Sequence, residues 1–155
     1  RAGNPDLRNL VVEVLAAYTP ETTGALTLDG PAVPVARDDA VLLSLFMNEL
    51  ATNATKYGAW STSRGRVTVN WAMETQDDGQ EFLVIRWREE NGPAVMPPER
   101  VGFGTNVMRF AVERSMGGTV TLNYPKAGAS HEIRLPWGRV VDPQAPFGQI
   151  PNKFS

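Results

Sequence analysis

Two stretches, RVTVNWAME and EFLVIRWRE, alternate apolar with polar residues, are rich in β-branched and aromatic side chains, and are separated by the turn-like QDDGQ after Thr75. Period-two alternation on both sides of a short turn predicts an antiparallel hairpin with one buried and one wet face. That wet-and-dry sheet needs a layer to cover its apolar side. Helical spacing supplies it. Leu7, Leu10, Val11, Val14 and Leu15 recur at three- and four-residue steps, predicting a helix over Asp6 to Tyr18 that ends near Pro20. A longer helix is predicted from Asp38 and Asp39, whose charges suit a positive helix end, through AVLLSLFM to Tyr57, with Gly58 ending it. Asn106 to Met116 resumes an apolar helical pattern that Gly117-Gly118 closes.

TVTLNY and SHEIRLPW, joined by PKAGA, form a second predicted hairpin, and ALTLDGPAVPVA predicts two short strands around Asp29-Gly30-Pro31. Glu90 to Thr105, ENGPAVMPPERVGFGT, reads as a loop with special backbone needs. The fold class is therefore α+β: a two-layer α/β sandwich with a mixed, largely antiparallel sheet and helices on one face. It is expected as one domain over residues 1–136, followed by a proline-containing tail, 137–155. Trp60, Trp71, Trp87 and Trp137 read as packing residues, and Met96, Met108 and Met116 as gap fillers around the last helix.

Composition removes several function classes. The net charge of −2, with basic residues scattered among acidic ones, gives no general attraction to nucleic acid or to an anionic membrane. The absence of cysteine excludes disulfides, thiolate nucleophiles and cysteine–zinc sites, and a single histidine, His131, makes a histidine-built zinc centre implausible. His131 lies in an alternating strand pattern where a surface or edge position is expected. No apolar run is long enough to span a bilayer and no signal peptide opens the chain, so a cytoplasmic location is expected. The start at Arg1 suggests a piece of a longer protein, or a processed one.

Three separated segments carry the chemistry. In NELATNATKYGA, residues Glu49, Asn53 and Lys56 stand at i, i+4 and i+7 and share one helical stripe beside the apolar face marked by Phe46, Met47, Leu50, Ala54 and Tyr57. The amide oxygen of Asn53, with triphosphate oxygens, suits magnesium, and Glu49 one turn earlier is placed to act as a base beside a γ-phosphate. In WREENGP, Glu89 at a strand end can accept a hydrogen bond from an adenine amino group. In GFGT, Gly102 and Gly104 flank Phe103 at a helix start, where backbone N–H groups can approach phosphate.

In combination these segments resemble the GHKL ATP-binding fold: NELATNATKYGA looks like its N box, and WREENGP followed by GFGT resembles its two glycine boxes. Trp87-x-Glu89 together with ELATNATKYGA is similar to the HWE subgroup of bacterial sensor histidine kinases, and the likeness runs from about Leu7 to Pro136. The resemblance implies a Bergerat-type sandwich that binds ATP and Mg²⁺ and transfers the γ-phosphoryl group to a histidine on a separate dimerisation or acceptor domain, with a response regulator downstream. It implies that Asn53 and Glu49 serve the metal and the transfer step, that Lys56 approaches phosphate, and that Glu89 reads adenine. Gly92, Gly102 and Gly104 would shape the ATP lid, with Thr105 near phosphate and Tyr57 and Phe103 also at the nucleotide.

Two positions depart from the pattern: Asn48 stands where the subgroup has histidine, and Asn91 where it has glycine. Asparagine at 91 tolerates a left-handed backbone better than most residues. The departures motivate a second reading, a catalytically weak or inactive module of the same fold that signals by docking to a partner. A serine kinase of the anti-sigma type shares the Glu49–Asn53 logic and is a third. No histidine-bearing helix pair precedes Leu7, so the acceptor is expected to lie outside this chain.

Overall fold

The computed structural model describes residues 5–93 and 98–141, the side chains of 98–101 excepted. The chain runs α1 (Leu7–Ala16), β1 (Leu26–Asp29), α2 (Arg37–Lys56), a 3₁₀ turn (Ala59–Ser61), β2 (Arg66–Thr75), β3 (Glu81–Glu90), α3 (Pro98–Met116), β4 (Thr119–Asn123), β5 (Ser130–Pro136) and α4 (Trp137–Val140). The strands lie side by side in the order β1-β2-β3-β5-β4. β1 runs parallel to β2 and the other neighbours are antiparallel. This is the mixed, open sheet expected from the alternating segments.

Register follows the hydrophobic phase. Trp71 of β2 pairs with Ile85 of β3, and Ile85 pairs with Ile133 of β5, so apolar residues stack on one face. They meet Leu7, Val11 and Leu15 of α1, Leu43, Phe46, Met47 and Leu50 of α2, and Val112 and Met116 of α3 in one core. The opposite face is polar. There Arg86 bridges Glu74 at 2.8 Å and Glu132 at 3.1 Å, with Arg134 on Glu74 at 3.4 Å. All of these side chains are about a quarter to a third exposed, so each pair contributes little to stability.

All four tryptophans are buried, as packing residues should be. The indole N–H of Trp60 donates to the Ala25 carbonyl at 3.0 Å and that of Trp71 to the Pro31 carbonyl at 2.8 Å, so neither buried donor is left unpaired. Met116 is buried and Met108 packs partly against the core, whereas Met96 lies outside the described residues. Asp6 caps α1, accepting from the Arg8 N–H at 3.0 Å, and its other oxygen takes the Val33 N–H at 2.9 Å. Asp38 and Asp39 fall in the first turn of α2, where negative charge is favourable, while Ala36 is the cap.

Three expectations need correction. PAVPVA forms no strand: Pro34 and Val35 make only isolated bridges to Asp6 and Val141, because prolines at 31 and 34 cannot donate to a ladder. The segment before Thr105 is not all loop. α3 starts at Pro98, breaks its helical path at Gly102 (φ 85°, ψ −164°) and resumes, a conformation that only glycine adopts readily. His131 is neither a surface nor an edge residue, because β5 lies between β3 and β4 and the side chain is 5% exposed.

The residues just past Pro136 pack into the body: Trp137, Val140 and Val141 join the core. Arg139 ties three helices, reaching Asp39 at 3.1 Å and the Ser115 carbonyl. Burial raises the Asp39 carboxyl above its ordinary range and Arg139 opposes the shift. Trp137→Ala is therefore expected to lower stability by about 3–5 kcal/mol, as for other large core truncations. Urea unfolding checks this, and a loss below about 1 kcal/mol would place Trp137 outside the cooperative core.

Candidate functional site

The end of α2, the end of β3 and the start of α3 converge beside the β4–β5 turn. Beside the first two lies a small hollow of about 40 Å³, open at its mouth and walled by Leu50, Asn53, Tyr57, Gly58 and Ala59, by Glu89, Gly92 and Pro93, and by Tyr124, Gly128, Ala129 and His131. Most of this wall is apolar or backbone, with a few polar tips converging, which is the usual make-up of a small-molecule site. Asn53 and Glu89, far apart in sequence, face the same space.

Glu89 forms the hollow's buried acid. One oxygen accepts the Ala59 N–H at 2.9 Å and the other accepts the Trp87 indole N–H at 2.8 Å. Trp87 sits two residues earlier on the same strand face, so it buttresses the acid from below. Burial pushes the Glu89 carboxyl above the usual carboxylate range, and the two donors only partly offset it. A Cβ at Gly58 would run into the Glu89 carboxylate, so any side chain there displaces the acid from its present place.

A second constellation lies one turn back along α2. The Asn53 amide N–H donates to Thr105 Oγ1 at 2.7 Å and, more weakly, to Glu49 Oε2 at 3.5 Å, while the Thr105 hydroxyl donates to the same Glu49 oxygen at 3.1 Å. Thr105 is 1% exposed, so this chain of bonds docks α3 against α2. Because the Asn53 nitrogen serves two acceptors, its oxygen is the end of the amide without a hydrogen-bond donor among the described residues. Gly104 again leaves room for a carboxylate, because a Cβ would come within 2.9–3.1 Å of the Glu49 side chain.

Glu49 does not itself wall the first hollow; it reaches it through Asn53 and Thr105. A second hollow, lined by Gly102, Thr105, Asn106, Arg109, Val120, Thr121 and Leu122, lies beyond Tyr124, which borders both. Tyr124 has its hydroxyl pushed up to about 12 by burial and by the charges of Glu89 and Glu49, so it is a proton donor at neutral pH. Tyr57 and Gly92 line the first hollow. Lys56 is exposed and lines neither hollow, and Phe103 is 84% exposed and points away.

Neither departing asparagine walls the first hollow. Asn48 accepts a hydrogen bond from the Tyr18 hydroxyl at 2.6 Å, across the seam between α1 and α2. Asn91 takes the left-handed conformation (φ 60°) that glycine would supply. Sequence reasoning missed Tyr124, the backbone of Ala59, and His131. For His131 a signal existed: it is in phase with Ile133 and Leu135, both buried.

Among the described residues no group of three or more His, Asp or Glu is arranged to hold a metal. A cation beside Asn53 would therefore draw on its amide oxygen, Glu49 and a ligand's own oxygens. No helix among the described residues is long and apolar enough to cross a membrane.

No family model matches the chain. Its sequence is similar to proteins named blue-light-activated histidine kinase: 30% identical over 130 residues to that of Brucella ovis and 34% over 131 residues to that of Brucella anthropi, each covering 84% of this chain. The chain spans about a quarter (26%) of those relatives. Among solved structures it is similar to the Erythrobacter litoralis EL346 blue-light activated histidine kinase, with a TM-score of 0.59 and 15% identity over 84% of this chain and 40% of that one. The catalytic domain of histidine kinase ThkA also gives a TM-score of 0.59 at 15% identity, covering 86% of this chain and 94% of that domain. These structural likenesses establish the α+β catalytic-domain fold.

Two outcomes test the geometry. Thr105→Val, close in shape but without the hydroxyl, should cost about 1–3 kcal/mol in urea unfolding while Thr105→Ser stays within about 1 kcal/mol of the parent. Equal stability of all three would dissolve the docking role. Burial also lowers the His131 imidazole to about 4, the hydrogen bond its charged form makes to the Ser130 carbonyl offsetting only part. A depressed folded-state value means stability present above about pH 6.5 and lost as pH falls through about 4, by roughly 3 kcal/mol in all. His131→Phe should flatten the urea-stability profile across that window; an unchanged slope would contradict it.

Proposed function

We propose, from the premise that this chain is a histidine kinase catalytic domain by its sequence relatives and its fold, that it binds ATP with Mg²⁺ between α2 and α3. It would then transfer the γ-phosphoryl group to a histidine presented by an acceptor segment. The observation that carries this reading is the convergence of Glu89 and Asn53 on one hollow, with Glu49 bonded to Asn53 through Thr105. Glu89 accepts from the adenine amino group, using lone pairs that its bonds to Ala59 and Trp87 leave free. The slot around Leu50, Ala59 and Ala129 takes the base, and Tyr57 and Tyr124 flank it.

The donor set suits a phosphate-bound cation. The Asn53 oxygen is the end of its amide without a donor among the described residues, oriented by Thr105 and Glu49, and a hard cation prefers such oxygens together with phosphate oxygens and water. Held by Asn53 and Glu49, Mg²⁺ would supply charge neutralisation at the phosphates. Gly102 and Gly104 let backbone N–H groups approach the phosphates, and α3 docked through Thr105 excludes water. Glu49, with Oε2 engaged by Thr105 and Asn53, keeps Oε1 to take the proton that the acceptor imidazole loses. Lys56 approaches the phosphates only after its exposed side chain swings inward. The reaction belongs in the cytoplasm, where ATP and a downstream response regulator are available.

Isothermal titration of the chain with ATP, with Mg²⁺ or with EDTA, tests the reading. Asn53→Ala is expected to weaken Mg-ATP binding at least tenfold, about 1.4 kcal/mol, and to abolish the difference between the two conditions. Glu89→Ala should weaken adenosine and ATP alike. An Asn53→Ala variant that keeps the full magnesium dependence would refute the assignment.

A further inference from the structure

His131 is a buried titratable group with no part in the phosphoryl transfer described above. It lies on the wall of the base hollow, 5% exposed, in a strand position where its neighbours in phase are aliphatic. Its Nδ1 accepts the backbone N–H of Asn123 at 3.3 Å, which puts the proton of the neutral ring on Nε2. The ring is held edge-on against Tyr124, with centroids 5.1 Å apart and planes at 69°. Among the described residues no side chain accepts from Nε2, and the ring's other polar neighbour is the Ser130 carbonyl, which holds the charged form only weakly. A buried N–H in a cavity wall without a strong acceptor is costly, so such a group calls for a ligand or water.

Placement supplies the ligand chemistry. His131 pairs with Trp87 across β3 and β5, and Glu89 is two residues further along β3 on the same face. Diagonal cross-strand neighbours of this kind lie about 7–8 Å apart, room for one purine edge between the two side-chain tips. One tip accepts and the other donates. Adenine offers the complement: an amino donor beside a ring-nitrogen acceptor, N1 on one edge and N7 on the other.

We propose that His131 reads the base, its Nε2–H donating to the adenine ring nitrogen next to the amino group that Glu89 accepts. This rests on the ATP-binding reading above. Guanine and hypoxanthine present a carbonyl to Glu89 in place of the amino group on either edge, and on the N1 edge also an N–H to His131, so Glu89 rejects them in both arrangements and His131 adds to the rejection where N1 is the contact. Burial keeps the imidazole neutral at physiological pH, so it donates without bringing a charge into the slot.

The test is calorimetric binding of ATP, 1-deaza-ATP and 7-deaza-ATP, with Mg²⁺, to the chain and to its His131→Phe and His131→Gln variants. One deaza analogue, the one lacking the contacted nitrogen, should bind the parent about five- to tenfold more weakly than ATP. His131→Phe should lose the same factor for ATP and nothing further for that analogue, and His131→Gln, which keeps an N–H donor, should recover part of it. Purely structural damage would weaken all three nucleotides together and so overturn the proposal. If His131→Phe does not fold, the comparison of the three nucleotides on the parent decides alone. A parent that binds ATP and both analogues equally refutes the base-reading role only; a parent that binds no ATP at millimolar concentration refutes the ATP reading with it.

Discussion

The site depends on a buried carboxylate. Glu89 sits at the end of a central strand, where an acid would be too costly to keep without partners, and its two donors come from different layers. The Trp87 indole belongs to the sheet and the Ala59 N–H to the turn that follows α2. The same carboxylate therefore fixes where the helix ends relative to the strand. Gly58 is the consequence in the sequence, because α2 can reach this close to Glu89 only where no side chain intervenes. A hollow between helix and sheet, with an acceptor at its floor, follows from that one arrangement.

A second carboxylate repeats the device with a different outcome. Glu49 is half-buried and bonds through Thr105 to the start of α3, with Gly104 as the residue that lets it come close. Glu89 joins elements whose relation the core already settles. Glu49 joins α2 to a helix whose first turn is interrupted at Gly102. The hydrogen-bonded chain from Asn53 to Thr105 to Glu49 thus couples the position of α3 to the orientation of the Asn53 amide. The start of α3 and the Asn53 amide are linked by one hydroxyl.

Much of this was legible in the residues. Alternation in RVTVNWAME and EFLVIRWRE pointed to the antiparallel hairpin, whose register only the structure supplies, and the i, i+4 spacing placed Glu49 and Asn53 on one stripe, as found. The third member of that stripe, Lys56, is exposed, since helical spacing states direction but not the height at which a helix leaves the core. Phe103 between two glycines read as a nucleotide contact, and its side chain is exposed to solvent here. His131 was misplaced for another reason: the order of strands in a sheet is set by long-range pairing, and the short loop PKAGA says only that β4 and β5 are neighbours. That β5 also pairs with β3, and so lies inside the sheet, is invisible to local pattern, although the phase His131 shares with Ile133 and Leu135 already pointed its side chain inward. The missing strand in PAVPVA was within reach, because two prolines already argue against a ladder there.

Nuclear magnetic resonance mapping of Mg-ATP onto the backbone amides tests the central claim most directly, namely that the acid at the end of β3 and the amide on α2 share one ligand. The account predicts the largest shifts at Gly58 and Ala59, whose turn carries the N–H bonded to Glu89, together with Gly104, Thr105, Gly128 and Ala129, and little change at Asn70, Arg86 and Glu132 on the outer face of the sheet. Shifts concentrated on that outer face, or confined to α3 with Ala59 and Ala129 unmoved, would contradict it.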